Sequence, residues 1–163
     1  MKKEKLKKYT EKRNFEKTLE PMPTSFEGRK RDTKDGLRQA GSTKRKFTIQ
    51  EHKAKRAGLH YDWRLEKGGV AKSFVCRKLL KDGYKFLFIP AEDHPVSYME
   101  WEGTIPDGEY GAGTVKLYTK GTWKEIRWDK VIQIEIDSPK IKGKITLFKK
   151  FGKNWMGSFK ESR

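Results

Sequence analysis

From Phe47 onward the chain runs in short alternating stretches of apolar and polar residues, each closed within a few positions by Gly, Asp or Pro. Side chains that alternate in type suit strands with one face on a core, and the pattern leaves no span for a long amphipathic helix. Candidate strands lie at 46–50, 59–66, 71–76, 84–90, 113–119, 131–137, 141–148 and 155–160, with turn signals such as Lys67-Gly68-Gly69, Asp82-Gly83 and Ser138-Pro139 between them. Many short, evenly spaced strands predict a mainly β fold, a small antiparallel β-barrel, with a sandwich as second choice. Nine Phe, six Tyr and five Trp supply the bulk for a modest core.

The first third differs. Residues 1–50 hold 16 Lys plus Arg against 7 Asp plus Glu, are poor in apolar residues, and pass Pro21, Pro23, Gly28, Gly36 and Gly41. We expect residues 1–45 to be a basic, partly mobile and partly disordered arm, and 46–163 the folded domain. Leu6, Tyr9 and Phe15 recur at loosely helical spacing, which predicts one short helix over 3–18 before Pro21 stops it.

The whole chain carries a formal charge of +17. Such an excess points to a polyanion, most often nucleic acid, and otherwise to a solvated surface. The longest uncharged apolar run, Phe86-Leu87-Phe88-Ile89-Pro90-Ala91, is far below the roughly 20 residues a membrane helix needs. No apolar stretch follows the charged start, so no signal peptide is expected. The single Cys76 allows no internal disulfide and no Cys-based zinc site. A cytoplasmic protein is the expectation, with any metal held by His and carboxylate.

All three histidines fall between positions 52 and 94, each beside or two from a carboxylate: Glu51-His52, His60-Tyr61-Asp62 and Glu92-Asp93-His94. Residues two apart on a strand share a face, so His60, Asp62, Arg64 and Glu66 face one way while Tyr61, Trp63 and Leu65 face the other. A lone His-x-Asp fits an ordinary solvated strand; Arg64 and two more His turn the reading toward chemistry. Imidazoles with a carboxylate bind Mn, Zn, Fe or Co with positions left open, Arg64 offers a planar fork for phosphate, and a third His suits a general acid or transition-state donor. Metal-assisted attack on a phosphate fits best. A 2-His-1-carboxylate iron oxygenase using His60, Asp62 and His94, and a catalytically silent nucleic-acid-binding β-barrel, are the alternatives.

Gly108-Glu109-Tyr110-Gly111-Ala112-Gly113 lacks the Gly-Lys-Ser/Thr ending of a nucleotide loop and is read as a tight turn. Trp101, Trp123, Trp155, Tyr84, Phe86 and Phe88 are assigned to packing.

The runs FTIQEHKAKRAGLHYDWRLEKGGVAKSFVCRK (47–78) and IPAEDHPVSYMEWEGTIPDGEYGAGTVKLYTKGTW (89–123) carry a resemblance. They resemble the 3'-phosphoesterase domain of bacterial DNA ligase D and of stand-alone archaeal and bacterial proteins. The arm segment LKKYTEKRNFEKTLEP and the ending KIKGKITLFKKFGKNWMGSFK look like the same family. The resemblance implies a manganese-dependent enzyme, with Co2+ or Zn2+ as other candidate metals. It would heal DNA 3' ends in end joining, removing a terminal ribonucleoside and then the 3'-phosphate to leave a 3'-hydroxyl. It also implies a small β-barrel with the site in its open mouth. Metal ligands would be His52, His60 and Asp62; Arg64 and His94 would hold the scissile phosphate, with Lys78, Glu92 and Tyr98 as further site residues. DNA 3' ends, and a separate ligase or end-binding protein, are the implied partners of an expected monomer. Three departures stand out: a longer loop (KAKRAGL) between His52 and His60, Phe86 with Lys85 where the family often has an Arg, and Arg77-Lys78 in place of Pro-Lys.

Overall fold

The computed structural model describes residues 2–23 and 44–162. Two short helices, α1 (Lys2–Lys5) and α2 (Lys7–Glu11), precede nine strands. These are β1 (Lys44–Ala54), β2 (Gly58–Lys67), β3 (Val70–Cys76), β4 (Lys85–His94), β5 (Gly103–Ile105), β6 (Gly113–Trp128), β7 (Val131–Asp137), β8 (Lys142–Phe151) and β9 (Asn154–Glu161). The protein is mainly β with little helix, as the alternation predicts.

The strands form one antiparallel sheet in the order β1-β2-β3-β4-β9-β8-β7-β6-β5. On its other edge β1 pairs with β6, so the ladder returns to its first strand and β5 hangs on β6. Strand β6 runs far past the expected end at 119. At Gly121 within it the chain passes so close to the Asp137 carbonyl that a Cβ would collide. Strand β5 was not expected at all; three residues are too few for an alternation to show.

The helix expected over 3–18 is instead two short helices followed by a turn. Asn14 ends it: its side-chain Oδ1 accepts from the Glu16 amide at 3.0 Å, and its carbonyl accepts from the Lys17 and Thr18 amides at 3.0 and 3.1 Å. A local Asx turn competes with helical bonding. Tyr9 is nonetheless fully buried and donates its hydroxyl to the Pro21 carbonyl at 2.7 Å. Residues 9–21 are thus packed onto the domain. The basic stretch 24–43 expected to be mobile lies outside the described residues, and Lys44, Arg45 and Lys46, expected in the arm or at its edge, begin β1.

The core takes alternate residues. Phe47, Ile49, Trp63, Leu65, Phe86 and Phe88 point into it and meet Trp123, Ile134, Ile145 and Leu147 from the far strands. The intervening residues of β1 and β2, Gln50, His52, His60, Asp62 and Arg64, are just as buried on the opposite face. What covers them is residues 9–21, a 3-10 turn at Val96–Tyr98, and the turn at 106–112. The site therefore lies on the face of these strands opposite the apolar core. Side chains of opposite parity on a strand point to opposite faces, so the residues between the core positions share the second face.

Candidate functional site

The β1–β2 hairpin sets the site's register. Its pairs are His52 with His60, Gln50 with Asp62, and Thr48 with Arg64. The added residues of KAKRAGL lengthen the hairpin instead of displacing His52: pairing continues to Ala54 and Gly58, and Lys55, Arg56 and Ala57 make the turn. The turn is tied down by the Lys55 amide donating to the Ala112 carbonyl at 2.9 Å.

His52, His60 and Asp62 bring one ligand atom each to within 4.8 Å of one another. His52 Nε2 lies 2.7 Å from the Gly111 carbonyl and His60 Nδ1 lies 3.1 Å from the Gly58 carbonyl. A carbonyl only accepts, so these nitrogens carry protons, and the opposite ring nitrogens face Asp62. His52 Nδ1 is 3.4 Å from Asp62 Oδ2, and His60 Nε2 is 3.4 Å from Oδ1. With the rings neutral, those two nitrogens and the carboxylate form three converging donors for a cation. This donor set fits a divalent transition metal, and these are the residues that could hold one. Burial works to raise the Asp62 pKa; the Arg64 guanidinium, 3.5 Å away, and the two imidazole edges outweigh it and keep the carboxyl well below its usual range.

Beside this cluster lies a cationic grip. Arg64 donates through Nε to Gln50 Oε1 at 3.0 Å and places Nη1 3.1 Å from His94 Nδ1. Gln50 Nε2 in turn donates to the carbonyls of Tyr98 and Trp101 at 2.8 and 2.9 Å, which fixes the amide. The Tyr98 ring lies under both groups, 5.1 Å from the Arg64 guanidinium and 4.7 Å from the His94 ring. Burial, then the charges of Arg64 and Arg13, push the His94 pKa well below 6.5. His94 is therefore neutral at pH 7, with Nδ1–H donating to the Glu92 carbonyl at 2.8 Å and Nε2 accepting from Arg13 Nη2 at 3.3 Å.

Arg13 is the residue that sequence reasoning missed. Its side chain is 4% exposed, pairs with Glu20 at 2.8 Å and with Glu92 at 3.3 Å, and rests 3.9 Å from the Tyr9 ring centroid. No local signal marks it, because it lies 31 residues before the start of β1 at Lys44. Gln50 could have been found, being two residues before His52 on the same strand face. The glycine-rich turn is indeed a turn, but it lines the site and its Gly111 carbonyl orients His52. Gly111 has φ +78°, which favours glycine.

The cavity these groups share has a volume of about 750 Å³ and is lined by His52, His60, Asp62, Arg64, Glu92, His94 and Tyr98, seven of the eight site residues expected. The eighth, Lys78, is exposed after β3 and does not line it; its neighbour Arg77 does, bonded to the Ala57 carbonyl. Phe86 is 5% exposed in the core and Lys85 is exposed, so neither replaces the family Arg in the cavity. Of the aromatics assigned to packing, Phe86, Phe88, Trp123 and Trp155 are buried while Tyr84 is 68% exposed.

Residues 50–150 match the model of the DNA Ligase D 3'-phosphoesterase domain. The chain belongs to that family. Relatives include the multifunctional non-homologous end joining protein LigD of Mycolicibacterium smegmatis, 35% identical over 94% of this chain, and the corresponding DNA repair protein LigD of Mycobacterium tuberculosis, 36% identical over 94%. LigD of Pseudomonas aeruginosa is 40% identical over 72% of the chain. The phosphoesterase-family chain spans 20%, 19% and 13% of the lengths of these three proteins. Among the described residues no helix is long and apolar enough to cross a membrane.

Proposed function

We propose that the protein is a metal-dependent phosphoesterase that heals DNA 3' ends in repair by end joining, removing a terminal ribonucleoside and then the 3'-phosphate to leave a 3'-hydroxyl. One observation carries the reading: a His-His-Asp cluster lies in the same cavity as two buried guanidiniums that converge on one neutral imidazole. An isolated metal site needs no such grip, and a silent DNA-binding surface needs no such cluster. An iron oxygenase requires neither Arg beside its triad, and its third ligand would have been His94, which donates to the Glu92 carbonyl and accepts from Arg13 instead. We also read the closed cycle of strand pairings as the family's β-barrel.

In this reading His52, His60 and Asp62 would hold Mn2+ or a similar divalent cation. Such a cation supplies Lewis-acid polarisation of a phosphoryl oxygen. Arg64 presents its fork to the non-bridging oxygens, and Arg13 closes on them from the side of the N-terminal segment. Glu20, Glu92 and Gln50 hold the two guanidiniums in place before substrate arrives, so little reorganisation remains for the reaction. A bound phosphate offsets the two Arg charges that depress His94, which raises its pKa and lets Nε2 carry a proton to the leaving oxygen. The charge of +17 favours DNA as the polyanion.

The test uses a 5'-labelled primer-template ending in a single ribonucleotide, and a second ending in a 3'-phosphate, each with Mn2+, Mg2+ or chelator. The reading predicts conversion of both to a 3'-hydroxyl with the transition metal and none with chelator. Salt-sensitive binding of both without turnover in any metal would overturn it in favour of a silent DNA-binding protein.

A further inference from the structure

The phosphate grip occupies one end of the cavity, whose size of about 750 Å³ is that of clefts burying whole small molecules, roughly 300–1,000 Å³. Besides the grip, the wall holds Ala54, Ala57 and Ala112, the cations Arg56 and Arg77, and one half-exposed aromatic, Tyr110. Among the exposed aromatics of the described residues, Tyr110 (49%) lines this cavity, whereas Tyr84 and Phe148 do not.

The ring is held, not loose. The Glu109 amide donates to the Pro106 carbonyl at 3.2 Å and the Ala112 amide to the Glu109 carbonyl at 3.1 Å, with positive φ at Gly108 and Gly111 on either side. The Tyr110 hydroxyl accepts from Lys12 Nζ at 3.4 Å. Lys12 Nζ sits 4.7 Å and the Arg13 guanidinium 5.4 Å from the ring centroid. Arg13 also reaches His94 at 3.3 Å. The aromatic surface is thus one side chain away from the phosphate grip, about the reach between the base and the phosphate of one nucleotide. Every base has a π-face, and stacking on an aromatic ring tolerates any of the four.

We propose that Tyr110 is the stacking platform for the nucleobase of the 3'-terminal nucleoside, with Lys12 and Arg13 beside it toward the adjoining phosphate. The inference rests on the end-healing reading above and extends it to substrate choice. In the diesterase step water adds to phosphorus and the bond to the terminal nucleoside's O5' breaks. That oxygen takes a proton and leaves with the nucleoside, and the phosphate stays on the strand. The departing base occupies the Tyr110 subsite; a bare 3'-phosphate has no base to place there. Tyr110 is therefore a binding residue for the first step and not the second.

The experiment compares wild type, Tyr110→Ala and Tyr110→Phe on the ribonucleotide-ended and phosphate-ended primer-templates. Loss of base stacking lowers kcat/KM for ribonucleoside removal by roughly 5- to 150-fold in Tyr110→Ala. Phosphate removal stays within about twofold, and Tyr110→Phe behaves as wild type on both, because the π-face is what matters. An equal loss on both substrates, or no loss on either, overturns the proposal. A second measurement needs no turnover: the affinity, in chelator, of a primer-template whose terminal ribose carries adenine against one whose terminal ribose is abasic. The proposal predicts that wild type prefers the adenine-bearing end and that Tyr110→Ala does not; equal affinity in wild type sinks it. A wild type that binds with base preference but hydrolyses neither end would refute the end-healing reading and leave the subsite standing.

Discussion

His52 and His60 face each other directly across the β1–β2 hairpin, their ring centroids 4.6 Å apart, with the Asp62 carboxylate 3.4 Å from a nitrogen of each. Each ring bonds a backbone carbonyl through its other nitrogen, so both rings are held oriented toward the carboxylate. Saturating Mn2+ should raise the melting temperature of the wild-type protein, since a ligand at a hundred times its Kd stabilises the native state by about 2.7 kcal/mol. His52→Ala and His60→Ala should each abolish most of that rise; a rise undiminished in both would remove them from the metal site.

Gly111→Ala tests the carbonyl that orients His52. The φ of +78° costs an L-residue roughly 1–2 kcal/mol, and the new Cβ would sit 3.5 Å from His52 Cε1. Displacing an outer partner of a ligand lowers metal affinity by about 10- to 100-fold. Calorimetric Mn2+ titration should show that loss with the fold intact; unchanged affinity would mean the carbonyl does not set the ring.

Arg64→Lys keeps the charge and removes the fork. Loss of one such transition-state donor costs about 10² to 10³ in rate, roughly 3–4 kcal/mol. Steady-state kinetics on the 3'-phosphate primer should show it in kcat, with circular dichroism unaltered; wild-type kinetics would exclude Arg64 from the chemistry.

Arg13→Ala should destabilise as well as inactivate. The Glu20 side chain is 0% exposed and Glu92 5%, and each loses a cation, so a cost of about 3–5 kcal/mol is expected from breaking a buried pair. Adding Glu20→Gln should recover part of it in urea denaturation; no recovery would show that the Arg13–Glu20 pair is not the cause.

The strand faces were legible in the sequence and the layers were not. Alternation put His60, Asp62 and Arg64 together, and the structure keeps them together, because a period of two is a local property of an extended chain. It could not say which face closes on the core, since β2 is buried on both sides and Trp63 and Asp62 look equally interior. Arg13, held by Glu20, and Tyr110 reach the cavity through packing between distant segments, and no spacing rule encodes that. Lys78 came from resemblance alone, and the chain after Cys76 carries it outward.

His94 links folding to pH. Its folded-state pKa lies well below the unfolded value near 6.5, so the unfolded chain binds the proton first as pH falls. The stability it contributes is complete above pH 6.5 and is lost progressively below that, with a limiting slope of about 1.4 kcal/mol per pH unit for one proton. Wild type should lose stability relative to His94→Asn between pH 6.5 and 4.5; parallel curves would contradict a depressed pKa.

The most direct test of the metal-centred site is the single-turnover rate of 3'-phosphate release from a primer-template at saturating Mn2+, for wild type and Asp62→Ala. The account predicts Mn2+-dependent release by wild type and a loss of at least about 10² to 10³ in the variant, with the fold retained. Release by Asp62→Ala at near wild-type rate in the same Mn2+ would contradict it.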